Sequence, residues 1–307
     1  MTQENIKEKL KEEFKNRDRV ISVLTTDGKF RIAAIKNTNS AKTAQQKHNL
    51  PQLPAFLLAR QLAAASMLAV FLKGEERIIL EAGGDGFIHK VFAEAIQVGE
   101  VRGFVVLNEE LQNKKHNSLN ELFGTNSNYK VTRILYSKNE PVTGIIPLRK
   151  GDISSDLSFY FFQSEQTPSL VILDTSTDDK GQIEMSSGII IQAMPGTTHQ
   201  DLLEIDKIVS KIDSLNSILK DEPNLENMVK QIIPFDFNVM KHYATDFYCR
   251  CSKDTFVNQL VTFELDEIKQ MQAEGHNELI CQYCNTHYYL DDKDFSNIIS
   301  TIQAKQN

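Results

Sequence analysis

All four cysteines of this 307-residue chain fall within 36 consecutive residues, in two close pairs. The pairs are Cys249-Arg-Cys251 and, about 30 positions later, Cys281-Gln-Tyr-Cys284. This pattern is typical of a zinc site, because tetrahedral zinc takes four ligands and a Cys-x-x-Cys turn directs two sulfurs at one point. We therefore predict one structural zinc ion per chain, contributing on the order of 10 kcal/mol to the folding of a small module. Its ligands would be Cys249, Cys251, Cys281 and Cys284.

Two other roles for these cysteines agree less well with the sequence. Ordinary buried cysteines would lie among apolar residues, whereas both pairs have polar neighbours. A thioredoxin-like redox centre would begin a helix after a strand, whereas residues 278–280 and 287–290 flank the second pair as arms of a predicted β-hairpin. Four cysteines already complete a ligand set, so the prediction leaves out three histidines, His242, His276 and His287.

Metal-bound sulfur is held as thiolate, the form that oxidants attack. The two cysteines of each pair are near neighbours in sequence, so oxidation of one sulfur can be resolved by its neighbour as a local disulfide. Such a site would both stabilise its module and respond to oxidants.

Length and composition indicate a globular chain of about two domains. Basic residues number 34 and acidic residues 41, a net charge of −7, which does not favour binding to a polyanion. Four cysteines are too few for a disulfide scaffold, and the N-terminal residues have no apolar run like that of a secretory signal. We therefore expect a reducing, cytoplasmic location, with neither nucleic acid nor membrane as a partner.

Three stretches of the chain differ in pattern. Residues 1–198 are predicted to form an α+β core domain, because β-branched segments cluster in pairs around a few helical segments. Residues 199–237 are predicted to form an amphipathic helical linker, with apolar residues at spacings of three and four from Asp201 to Ile233. Residues 238–307, rich in Phe and Tyr, are predicted to form a small zinc-binding domain.

Within the first stretch, residues 20–26, 30–36, 77–83, 101–107, 129–136, 169–174 and 188–194 are predicted strands. Residues 53–72, 89–96 and 156–166 are predicted helices, the first a buried core helix rather than a membrane span and the last capped by Asp156. Gly83-Gly-Asp-Gly86 lacks the order of a phosphate-binding loop and is predicted to form a hairpin turn. Glu165 has no base or nucleophile to act with, which favours a structural role at a helix C-terminus. We predict no catalytic residues and no enzyme activity.

The cysteine segments, DFYCRCS at 246–252 and ICQYCNTHYYLDD at 280–292, resemble the C-terminal redox switch of the 33-kDa heat-shock chaperone family. The resemblance extends upstream, in order and spacing, and covers nearly the whole chain. It includes LKGEERIILEAGGDG at 72–86, VRGFV at 101–105, YFFQSEQTPS at 160–169 and GIIIQAMPG at 188–196. Asn285 stands where family members often carry Gly, and Asn also tolerates a left-handed turn.

The resemblance implies a redox-regulated, ATP-independent holdase of the bacterial cytoplasm. In the reduced state the four cysteines would bind one zinc ion and the chaperone would be inactive. On oxidation, disulfides Cys249–Cys251 and Cys281–Cys284 would form, zinc would leave, and the switch domain would unfold. The linker would then be destabilised, exposing apolar surface to unfolded client proteins and favouring a homodimer.

Two functions from other classes remain as alternatives. A zinc-ribbon protein that binds nucleic acid or a transcription partner should present a basic face, whereas residues 238–307 carry six Lys and Arg against ten Asp and Glu, a net charge of −4. A thiol oxidoreductase would need one exposed cysteine of low pKa that works without metal, and zinc retention in the reduced protein would count against it.

Overall fold

The computed structural model describes residues 17–112 and 118–306, which divide into two compact units at Tyr248 and Cys249. The sequence instead predicts a separate linker at residues 199–237 and a C-terminal domain that starts at residue 238. Strand Phe237–Ala244 falls in the first unit because it pairs with Arg19–Thr25, and the helices before it pack on the same sheet. The mixture of sheets and helices confirms the predicted α+β class.

The first unit contains a five-stranded antiparallel sheet. Its central strand, β2 (Phe30–Lys36), directs alternating side chains into two separate cores. Ala33 and Ile35 face one core, and Phe30 and Ile32 face the other. In spatial order the strands are β10 (Phe237–Ala244), β1 (Arg19–Thr25), β2 (Phe30–Lys36), β9 (Ile183–Ala193) and β8 (Ser169–Thr177).

A second, six-stranded sheet includes β4 (Ile88–Ile96), a segment that sequence analysis predicts to be helical. That prediction is wrong, because the segment pairs along its length with a strand on each side and buries Val91, Ala93 and Ala95 on one face. The remaining strands are β11 (Asp246–Phe247), β5 (Glu100–Leu107), β3 (Arg77–Gly83), β6 (Asn128–Ile134) and β7 (Val142–Pro147).

The predicted hairpin turn at Gly83-Gly-Asp-Gly86 is confirmed, since it joins β3 to β4. A side chain at Gly84 or Gly86 would collide with backbone atoms of Leu122 and Phe123, which explains why the turn is rich in glycine. The space beside this turn is thus filled by the chain itself rather than left open as a phosphate cradle.

Helix α2 (Gln52–Ala69) contacts strands of both sheets and is almost entirely buried, as predicted for a core helix. Its small alanine and serine side chains allow the sheets to approach closely. Two of its polar residues have partners elsewhere in the unit, since Arg60 pairs with Asp152 at 2.5 Å and Gln61 accepts a hydrogen bond from the Tyr129 hydroxyl at 3.2 Å. No helix within the described ranges is long and apolar enough to span a membrane.

The N-cap of helix α4 (Ile153–Ser164) is Asp152, four residues earlier than the predicted cap Asp156. The Asp152 side chain accepts a hydrogen bond from the Ser155 amide, as an N-cap requires. Asp156 is instead buried and accepts the backbone amides of Arg149 and Lys150. The other helices before residue 199 are α1 (Thr38–Lys47) and α3 (Leu119–Phe123), with a 3₁₀ turn at Glu109–Leu111.

The amphipathic stretch that follows forms three short helices, which cover one face of the five-stranded sheet. Ser214 and Asn224 start the second and third helices by accepting backbone amide hydrogen bonds, which divides the continuous apolar periodicity into pieces. The helices are α5 (His199–Val209), α6 (Leu215–Asp221) and α7 (Leu225–Ile232).

The second unit is small and has its own core. The predicted hairpin arms are confirmed as β12 (Glu278–Ile280) and β13 (His287–Tyr289). Three helices that sequence analysis does not delimit surround them: α8 (Lys253–Leu260), α9 (Leu265–Ala273) and α10 (Asp292–Gln306). The buried apolar side chains are Leu260, Ile268, Leu290, Phe295, Ile298 and Ile302.

Asp18 generates a pH-dependent prediction for the first unit. Its buried carboxylate accepts the amides of Asn39 and Ser40 in the first turn of α1, yet burial outweighs these bonds and raises the pKa of Asp18 to about 6. The folded state thus binds this proton more tightly than the unfolded state, so Asp18 lowers stability as the pH rises from about 4 through 6. We expect Asp18→Asn to gain about 3 kcal/mol relative to the parent between pH 4 and pH 7.

The measurement is urea unfolding of parent and Asp18→Asn by far-UV circular dichroism across this range. The difference between the two proteins cancels the titration of all other groups. A difference that does not change with pH would contradict the raised pKa.

Candidate metal centre

Cys281 and Cys284 lie in the tight turn between β12 and β13. The Cys281 amide donates to the Thr286 carbonyl at 2.9 Å, and the Cys281 carbonyl accepts the amides of Cys284 and Asn285 at 3.3 and 2.7 Å. Asn285 closes the turn with a φ of 53°, the left-handed conformation that sequence analysis expects Asn to tolerate there. The hairpin thereby presents both sulfurs on one side of the turn.

Cys249 and Cys251 lie in the segment that leads into α8. The side chain of Ser252 caps this helix by accepting the Thr255 amide at 3.1 Å, which fixes where the helix begins. The Phe256 ring packs against the Tyr288 ring with centroids 5.5 Å apart. The Tyr288 hydroxyl also donates to the Cys251 carbonyl at 3.1 Å, so the hairpin holds the first cysteine pair in position.

These elements bring all four sulfur atoms within 4.8 Å of one another. Cys249 Sγ lies 3.7 Å from Cys281 Sγ, and Cys251 Sγ lies 3.4 Å from Cys284 Sγ. In a zinc tetrahedron with Zn–S bonds of about 2.3 Å, two sulfurs are separated by about 3.8 Å. The donor set and its spacing therefore fit a tetrahedral, thiolate-bound metal ion.

The four thiols experience different environments. Burial raises the pKa of the Cys281 thiol to about 12 and also raises that of Cys251. Burial opposes ionisation of Cys284 too, but hydrogen bonds from the Thr286 hydroxyl, 3.2 Å away, and from the Thr286 amide prevail and bring the pKa of Cys284 to about 7. Of these three thiols Cys284 is thus the most readily deprotonated, and a cation is needed to hold all four cysteines as thiolates.

The sulfur positions do not select a disulfide pairing. All four cysteines are free thiols, and the close sulfur contacts at 3.7 and 3.4 Å join one cysteine of the first pair to one of the second. A disulfide needs a sulfur separation of about 2.05 Å, so any pairing requires movement. The disulfides Cys249–Cys251 and Cys281–Cys284 remain a prediction that rests on family resemblance.

Two of the three histidines left out of the predicted ligand set contact glutamate carboxylates. His287 Nδ1 lies 2.7 Å from Glu278 Oε1, and His276 Nδ1 lies 3.2 Å from Glu274 Oε2. His242 is opposite Ile21 in the five-stranded sheet of the first unit. Sequence analysis missed Tyr288 and Thr286, whose hydroxyls contact Cys251 and Cys284 sulfur at 3.2 Å each. The sequence could have indicated Thr286, because it lies only two residues after the last cysteine.

Comparison with known proteins agrees with the resemblance inferred from the motifs. A family model described as "Hsp33 protein" matches residues 18–291. A "33 kDa chaperonin" of Streptococcus agalactiae serotype III (strain NEM316) is 30% identical over 287 residues, which covers 92% of this chain and 98% of that protein. The "33 kDa chaperonin" of Streptococcus thermophilus (strain ATCC BAA-491 / LMD-9) is 29% identical over 287 residues, covering 92% and 99%.

The fold is also shared with a solved structure. The crystal structure of the 33 kDa chaperonin (Heat shock protein 33 homolog) of Thermotoga maritima superposes with a TM-score of 0.82 at 23% identity. The similarity covers 95% of this chain and all of that one, and at this identity it establishes the fold. Because the family model spans nearly the whole sequence, this chain belongs to the Hsp33 family.

Proposed function

We propose that this protein is a redox-regulated, ATP-independent holdase chaperone, with no substrate turnover, that acts in the cytoplasm. In the reduced state Cys249, Cys251, Cys281 and Cys284 hold one zinc ion and the chaperone is inactive. On oxidation it binds unfolding client proteins as a homodimer and prevents their aggregation. The observation that carries this proposal is the convergence of four thiols within 4.8 Å in a chain of the Hsp33 family.

The energetics of the second unit support a metal-dependent module. Its core consists of six buried apolar side chains, which contribute about 12 kcal/mol at roughly 2 kcal/mol each. A structural zinc site contributes about 10 kcal/mol or more. Metal binding is therefore comparable with the whole apolar core, and loss of the metal should unfold this unit.

The chemistry of activation follows from the thiolates. A peroxide oxidises one thiolate to a sulfenic acid, and a second thiolate displaces hydroxide to form the disulfide, so two electrons pass to each peroxide molecule. Two disulfides consume all four sulfur ligands and leave none with the negative charge that retains zinc. We assign the pairs Cys249–Cys251 and Cys281–Cys284.

The first unit supplies an apolar surface that this switch can expose. Helices α5, α6 and α7 cover Ile21, Val23, Phe30, Ile32 and other apolar residues on one face of the five-stranded sheet. Helices of 11, 7 and 8 residues are marginal on their own, so docking rather than propensity keeps them folded. The chain runs from α7 through β10 and β11 to the cysteines, and we propose that unfolding of the second unit destabilises these helices through this connection.

The metal assignment predicts one zinc ion per chain in carefully reduced protein, bound through four sulfurs. We expect elemental analysis to give a ratio of about one. Cys281→Ser should bind zinc far more weakly, because a neutral hydroxyl replaces a thiolate. A cobalt-substituted sample should show sulfur-only coordination. A ratio well below one, or a nitrogen ligand in the cobalt spectrum, would contradict the assignment.

The pairing assignment predicts that oxidised, active protein contains mainly Cys249–Cys251 and Cys281–Cys284 disulfides. Peptide mapping after peroxide treatment, with thiols blocked before digestion, reports the connectivity. Holdase activity should rise in step with these disulfides and with zinc release. If mainly Cys249–Cys281 and Cys251–Cys284 formed, following the short sulfur contacts, and activity were intact, the proposed pairing would be wrong.

If α5, α6 and α7 keep the chaperone inactive by covering the sheet, weakening their docking should activate it without oxidant. Ile205 in α5 is only 4% exposed in the core beneath the helices, so the charge in Ile205→Asp should cost a few kcal/mol of docking energy. Suppression of client aggregation, measured by light scattering under reducing conditions, should rise above that of the parent.

The matched control is Leu203→Asp, on the same helix at a position that is 46% exposed. This variant should remain as inactive as the parent. Zinc content and circular dichroism are measured in parallel for both. If Ile205→Asp stays folded, keeps its zinc and gains no activity, helix docking does not control the chaperone.

A further inference from the structure

A cavity of about 440 Å³ opens in the first unit beside the C-terminal end of α2. It is comparable in size to pockets that hold small molecules, which range from about 300 to 1,000 Å³. Its lining combines apolar side chains, of which Leu68 and Phe161 are buried, with polar and charged ones. Besides these two, the lining includes Arg31, Phe71, Leu135 and Gln192.

Arg31 is the unusual group in this cavity. Its guanidinium lies over the Phe71 ring, 4.7 Å from the centroid, and its Nε donates to Gln192 Oε1 at 2.9 Å. Among the described residues, Arg31 makes no contact with a carboxylate and no other hydrogen bond, so its terminal N–H groups remain free to donate. Burial lowers the pKa of Arg31, and the more distant Glu165 only partly offsets this effect.

The other charges around the cavity are already engaged or lie at its mouth. Arg133 is paired with Glu165 at 2.5 Å, which gives Glu165 a structural role. Glu76 accepts the backbone amides of Lys73 and Tyr136 at 2.9 and 3.1 Å. Lys73 is exposed and adds a second positive charge at the mouth. Considering residues 17–112 and 118–306, the interior therefore retains one positive charge without a contacting counter-ion, that of Arg31.

We propose that this cavity binds a monocarboxylate that carries an apolar group. The carboxylate would accept hydrogen bonds from the free N–H groups of Arg31, whose planar fork matches carboxylate geometry. The apolar group would contact the side chains of Leu68, Leu135 and Phe161. The carboxylate can belong to a free small molecule or to the C-terminus of a peptide, since both present the same chemistry.

The test is binding to the reduced, zinc-loaded full chain, in which the proposed chaperone is inactive, so a failure here is separate from a failure of the chaperone proposal. The probes are 3-phenylpropionate, its neutral amide, phenyl phosphate, and a pentapeptide ending in Phe with a free or an amidated C-terminus. Ligand-observed NMR titration gives each dissociation constant. We expect 3-phenylpropionate to bind and its amide to bind at least about tenfold more weakly.

Arg31→Gln should weaken binding of 3-phenylpropionate by about tenfold or more, because it keeps a polar side chain beside Gln192 but removes the charge. The matched control is Arg149→Gln, which removes an arginine stacked on Phe159 at 4.6 Å outside the cavity lining and should not change the affinity. Ser137→Glu places a negative charge at the exposed mouth and should also weaken binding, without disturbing any buried contact.

Tighter binding by the free-acid peptide than by 3-phenylpropionate, lost on amidation, would identify a peptide C-terminus as the source of the carboxylate. The reverse order would identify a small molecule. Equal binding of acid and amide, tighter binding of phenyl phosphate than of the carboxylate, or full affinity in both folded variants, Arg31→Gln and Ser137→Glu, would overturn the proposal.

Discussion

The convergence of four cysteine sulfurs is the constraint on which the second unit depends. Four thiolates within 4.8 Å repel one another strongly unless a cation lies between them, and four neutral thiols form only weak hydrogen bonds. The neighbouring groups arrange the sulfurs but do not neutralise them: Thr286 donates to Cys284, and Tyr288 binds the carbonyl of Cys251. The geometry therefore favours a bound metal ion, and the proposed zinc ion would tie the stability of this unit to the redox state of its ligands.

The stability of the first unit comes from two apolar cores. Helix α2, buried between two sheets, anchors an apolar core that extends over most of the unit. Its second core, beneath α5, α6 and α7, is made partly by short helices that contribute little intrinsic stability. Loss of these helices would leave the strands paired, because their hydrogen bonds lie within the sheet. The unit can therefore present an apolar sheet face without losing its fold.

Sequence analysis identified the cysteine cluster, the core helix, the hairpin arms and the α+β class because each depends on local spacing or composition. Its predictions were wrong where contacts between distant parts of the chain determine the local structure. Residues 89–96 were predicted to be helical, yet strand pairing on both sides determines the structure. Asp156 looked like an N-cap, but the chain turns earlier, at Asp152, and uses Asp156 to satisfy the amides of Arg149 and Lys150.

The contrast between Arg31 and Arg133 shows what sequence alone could not supply. Both are arginines on strands near the same cavity, but within the described part of the chain only Arg133 has a carboxylate partner, Glu165, which comes from the end of a helix 32 positions later. The pairing depends on how α4 packs beside β6, so no local pattern distinguishes the two residues. Desolvation without a counter-ion is costly for a cation. A fold that retains Arg31 in this state gains stability when an anion binds, which links occupancy of the cavity to the stability of the first unit.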